Sequence, residues 1–252
     1  MKFTIISYLR VNSSSPNTEQ YCSKRLMCKW RNKLVKQAIK GFKGTYSNEQ
    51  LQEYLDGEFK QSVLNWNNRV GNGVSPDVTC TQLMQKIINQ SSRLLEEALE
   101  GLTAYLEKDT TERMDALVDV QFVKVMLDAY YETLDNFTDE DITEASLSFS
   151  EDELLILQIV PQMLSPAMIA SQGANLFSPK RVFIACELII ANNDQKYTSD
   201  QDKMLSWKSN LVEGTQIKTT EVGGVEYYSI VRLEDGKVMK PFDFEEVTLD
   251  LG

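Results

Sequence analysis

Six carboxylates in two short clusters are the residues best placed to do chemistry: Glu96, Glu97 and Glu100 in LLEEALEG, then Glu112, Asp115 and Asp119 in ERMDALVDVQFV. Residues three and four apart share a helix face, so each cluster presents its acids together. Glu112, Asp115 and Asp119 fall within an arc of roughly 60°, on a stripe that continues through Phe122 and Met126. Ionised carboxylates on a core-facing stripe cost several kcal/mol each unless a cation or strong donors compensate them. A bound divalent ion would do so, and a donor set made only of oxygen suits magnesium, with manganese as a substitute. The plainer alternative is a solvated edge of a helical bundle, and it weighs more on the first cluster than on the second. Asp128 provides a contrast, because it lies about 160° from Glu112 around the same helix and is expected outside any such site.

The remaining chemistry is narrow. The chain of 252 residues has no histidine, which excludes Ser-His-Asp and Cys-His catalysis within it and any histidine general base. Cys22, Cys28, Cys80 and Cys186 lack metal-type spacing and read as reduced, structural thiols. Net charge is −11, yet residues 1–45 carry ten Lys/Arg against the single acid Glu19. That basic segment is expected to dock on the acidic body or on a neighbouring subunit; nucleic acid is the weaker reading, since aromatic residues are sparsely interleaved there. No stretch is long and apolar enough to cross a bilayer, so no membrane partner is expected and a cytoplasmic location is.

The elements that must position the acids are mostly helical. Residues 2–11 read as a short strand, 19–40 as a basic amphipathic helix, and a further helix opens near Ser47 and runs to Arg69. GNGVSPD is a break, 79–107 is a helix with the first cluster, and EKDTTER is a turn in which Thr110 or Thr111 caps a helix over 112–134. Residues 135–152 form an acidic, Ser/Thr-rich connection, followed by short apolar helices interrupted at Pro161 and Pro166. A helix starts at Ser178 and ends at the Asn192–Asn193 pair. TQIKTTEV, GG and VEYYSIVRL read as a β-hairpin, with KVMK as a third short strand. The expectation is a mainly α protein with a four-helix-bundle-like core and a small C-terminal β-hairpin, since opposed carboxylates on facing helices are how such bundles hold metals. Three regions follow: a basic extension over 1–55, an all-α core over 56–212, and a tail over 213–252.

The motifs resemble those of the MazG-like, all-α nucleoside triphosphate pyrophosphohydrolases, relatives of phosphoribosyl-ATP pyrophosphatase, in their phage-type form. The likeness rests on Glu96-Glu97-Ala98-Leu99-Glu100, then Asp115-Ala116-Leu117-Val118-Asp119 running into Val120-Gln121-Phe122-Val123. Ala116 stands where the family's second motif usually has Glu, so Asp115 would take that ligand position. ANNDQKYT matches a helix ending in Asn followed by Lys and an aromatic, and Asp235-Gly236-Lys237-Val238-Met239-Lys240-Pro241-Phe242 matches the phage-type tail. The resemblance covers roughly 60–250 and implies a long insert near 135–175 within the all-α core.

It implies hydrolysis of a (deoxy)nucleoside triphosphate to the monophosphate and pyrophosphate, and a homo-oligomer, dimer or tetramer. Glu97, Glu100, Asp115 and Asp119 would hold Mg2+, and Glu96 would act on the attacking water. Lys196, Lys237 and Lys240 are candidate phosphate contacts, and Asn192 or Asn193 a base or sugar contact. Against these stand ordinary roles: a helix C-cap for the asparagines, a solvated lysine at 196, strand-edge lysines in the tail. Trp66 and Asn68 could line a base pocket, although a buried tryptophan is more often core. The rival functions are a non-catalytic helical binding or inhibitor module and a nucleotide-sequestering protein.

Overall fold

A computed structural model describes residues 46–163 and 177–247. The strand expected over 2–11, the helix over 19–40, Cys22, Cys28 and the segment around Pro166 lie outside them. The described residues are mainly helical, with a small three-stranded antiparallel sheet. None of their helices is long and apolar enough to cross a membrane.

Helix α1 (Asn48–Tyr54) opens on a reciprocal capping box between Ser47 and Gln50, and a π-helical turn over Leu55–Phe59 leads into α2 (Lys60–Arg69). Gly71 and Gly73 end it, Gly71 with a left-handed φ of 73°. Helix α3 (Cys80–Glu107) starts on a second capping box, Thr79 with Gln82, and stops where Lys108 turns left-handed. Only Lys108 and Asp109 separate it from α4 (Thr110–Leu134), so the two run antiparallel side by side. The cap of α4 is Asp109, not Thr110 or Thr111: its carboxylate accepts from the backbone N–H of both Thr111 and Glu112, which a threonine hydroxyl one residue later does not.

Helix α4 is buried on two sides. Val120, Val123, Met126, Leu127 and Tyr130 pack with Leu83, Ile87 and Leu94 of α3, while Met114, Val118 and Phe122 pack with Val63 and Trp66 of α2. Val182, Phe183, Cys186, Ile189 and Ile190 of α7 (Pro179–Asn193) complete that second layer. The stretch 135–152 is not only a connection. Thr138 and Asp141 form a capping box for α5 (Asp139–Ser146), and three acids in its first turn favour the positive end of the helix dipole. Next, α6 (Glu151–Met163) runs on through position 161, where a break was expected.

After α7, a turn of 3₁₀ helix (Asp194–Lys196) leads into β1 (Tyr197–Thr198) and α8 (Gln201–Lys208). β2 (Thr215–Val222) and β3 (Val225–Arg232) form the expected hairpin across Gly223-Gly224, both with positive φ as a tight hairpin turn demands. The third strand is not KVMK. It is β1, in the order β1-β3-β2, with Tyr197 opposite Ser229 and Thr198 opposite Tyr228. Asp235 grips Arg232 through two hydrogen bonds and folds KVMK back on the same edge of β3, where β1 leaves it one bridge, Val231 to Val238.

Candidate active site

The acids of α3 and α4 meet on the seam between the helices. A Cβ at Gly101 would lie 3.4 Å from the Ala116 methyl, so small residues set the close approach of the helices at the level of the carboxylates. Glu97 and Asp119 are half-buried, whereas Glu96, Glu100, Glu112 and Asp115 are exposed. The core-facing stripe read from the sequence therefore holds at Asp119, Phe122 and Met126 and opens to solvent toward the start of α4.

Their electrostatics differ with depth. Burial raises the Asp119 carboxyl well above the usual carboxylate range, and Glu97, Asp115 and Glu100 add repulsion that Lys196 partly offsets. Glu97 is pushed up to about 7, first by burial, then by Glu100 and Glu96, against the pull of Lys237 and Lys196. Asp115 is raised by partial desolvation and by Glu112 and Glu246, with Lys240 opposing. Burial draws Lys196 down, Lys240 and Lys237 add to this, and Asp119 and Glu97 hold it up. One field thus couples residues from α3, α4, the 3₁₀ turn after α7 and the tail.

The tail reaches the site because α7 and the turn after it tie it down. The Asn192 amide donates to the Val247 carbonyl at 3.2 Å and accepts from its N–H at 2.9 Å. Gln195 does the same for Glu245. Asn193 is buried, and its carbonyl accepts the Trp66 indole N–H at 2.8 Å. Trp66 itself packs edge-on to Phe122 in the core, and Asn68 is exposed. Lys237 pairs with Glu96 at 2.9 Å, and Lys240 with Glu246 at 3.2 Å. Asp128 pairs with Lys124 one turn away and takes no part.

Two participants were not anticipated. Glu246 adds a charge beside Asp115, and Arg93, whose field reaches Glu96, lies one turn before Glu97 on the same face of α3. The spacing of Arg93 was legible; that of Glu246 depends on the tail's return.

For a divalent cation the donor chemistry fits: oxygen ligands only, two of them half-buried and held in a costly protonation balance. Among the described residues, however, no three His, Cys, Asp or Glu side chains stand close enough to hold one. Comparison of the chain with protein-family models, curated proteins and solved structures gives no match.

Proposed function

We propose that this chain hydrolyses a nucleoside triphosphate to the monophosphate and pyrophosphate, with magnesium, on a four-helix core of α2, α3, α4 and α7. The observation that carries the reading is the shared field of Glu97, Asp119 and Lys196, brought from three separate elements beside Lys237 and Lys240. Glu97, Glu100, Asp115 and Asp119 would hold the cation, which requires exposed Glu100 and Asp115 to turn toward the two deeper acids. Once bound, the ion would supply Lewis-acid stabilisation to the phosphate oxygens.

The chain's own side chains do the rest. Lys196, Lys237 and Lys240 offset phosphate charge, and Glu96 takes the proton of the attacking water. Water supplies the oxygen of the new P–O bond as the anhydride bridge between the α- and β-phosphates breaks. The exposed row Leu99, Leu102, Tyr105 and Leu106 on α3 suits the homo-oligomer that the resemblance implies. A second reading, nucleotide sequestration without turnover, is favoured by Lys196, which already serves the carboxylates as an internal counter-charge.

The two are separated by incubating the protein with a nucleotide panel and Mg2+ and measuring pyrophosphate against orthophosphate. Magnesium-dependent pyrophosphate release is expected, and Asp119→Asn should lower it more than about a hundredfold while the far-UV spectrum stays unchanged. Full activity in that variant, or orthophosphate as the product, refutes the assignment.

A further inference from the structure

Helix α3 carries a second charged group on the stripe that bears Glu97, and its sign is opposite. Lys86 and Arg93 lie eleven and four residues before Glu97, so Lys86 stands about 16 Å from it along the helix axis. Lys218 of β2 approaches them from the sheet, near enough to feel both charges. All three cations are half-buried, and among the described residues none of them forms a carboxylate salt bridge. Asp235, the acid whose charge Arg93 feels most, is committed to Arg232 through two hydrogen bonds.

What these cations do touch leaves most of their donors free. Lys86 Nζ donates to the Gly73 carbonyl at 2.7 Å and stands 5.7 Å from the centre of the Tyr130 ring, and Lys218 Nζ donates to the Gly71 carbonyl at 2.9 Å. An ammonium has three donors and a guanidinium five, so one acceptor each is partial satisfaction. Arg93 makes two long contacts of 3.4 Å, to the Asp235 carbonyl and Gln90. Two further polar groups at this place are buried without a partner: the Asn72 amide nitrogen, between the two glycines, and the Ser229 hydroxyl. Ser229 is directly opposite Lys218 in the β2–β3 register and therefore on the same face of the sheet. The position of Lys218 is a built one, since a Cβ at Gly71 would lie 2.6 Å from its Cε.

The two carbonyls that follow α2 occupy one donor of each lysine, and gathering three repelling cations there costs stability unless an anion joins them. We propose that Lys86, Arg93 and Lys218, with Asn72 and Ser229 beside them, form a second site that binds a phosphate-type oxyanion, either free or as part of a nucleotide. The site adjoins the acidic seam through Arg93, whose field reaches Glu96, and does not require the reading given there.

The test uses the full chain in EDTA, which removes any cation-dependent binding at the carboxylates. Inorganic phosphate, pyrophosphate and a nucleoside monophosphate are each titrated by calorimetry at constant ionic strength. Saturable binding of at least one is expected, weakened tenfold or more in Lys218→Met and in Lys86→Met, and retained in Lys218→Arg. Binding of inorganic phosphate identifies a free ion as sufficient; binding of the monophosphate alone identifies the nucleotide as the source. Arg93→Gln provides the same reading if a lysine variant fails to fold, as judged by circular dichroism. No saturable binding to the native chain, or native affinity in the folded neutral variants, overturns the proposal.

Discussion

Replacing Glu187 by Gln should change how the stability of this protein responds to pH. Glu187 is 3% exposed on α7, and one of its oxygens accepts the Tyr54 hydroxyl at 2.5 Å while the other has no partner. Burial pushes its carboxyl up from 4.5 to about 7; the Tyr54 bond lowers it and the charge of Glu58 raises it. Tyr46 and the Cys186 thiol also feel Glu187. The folded value lies above the unfolded one, so the stabilisation is complete below about pH 4.5 and is lost as pH rises toward 7 and beyond. A displacement of this size amounts to about 3 kcal/mol. Gln keeps an acceptor for Tyr54 and cannot ionise, and any cost of its buried NH2 group is independent of pH. Urea unfolding from about pH 4.5 to about pH 8.5 should therefore show Glu187→Gln gaining about 3 kcal/mol relative to the native chain across that range. Glu97 and Asp119 titrate in the same direction but are common to both proteins, so they cancel in the difference. Two parallel stability curves would refute the reasoning.

Two other substitutions follow from single positions. Gly71→Ala forces a side chain onto a left-handed residue and into Lys218, and should cost about 1–3 kcal/mol in a thermal melt. Asp128→Asn removes only a partly exposed pair with Lys124, and should leave pyrophosphate release unchanged and stability within about 0.5 kcal/mol.

The helices that carry the acids were legible because capping residues and a 3.6-residue period mark them locally. α5 was not, because acids, serine and threonine are as much the composition of a loop as of a helix start; the Thr138–Asp141 box decides between the two. β1 is only two residues long, too short for any alternation to appear, and it exists because β3 offers an unfilled edge. The spacing of Glu97 with Asp119 across two helices could be read from periodicity. The approach of Lys196, Lys237 and Lys240 could not, because it depends on Asn192 and Gln195 binding the returning tail, a contact between segments some fifty residues apart.

The order of charge along α3 runs against the helix's own field. Cations are favoured toward a helix C-terminus and anions toward its N-terminus, yet Lys86 and Arg93 precede Glu96, Glu97, Glu100 and Glu107, and the last turn holds no base. The C-terminal turn therefore gains nothing from the dipole, and the helix is held in place by the apolar contacts of Leu83, Ile87 and Leu94 with α4. Held in the fold, it displays opposite charges on successive stretches of one rigid rod.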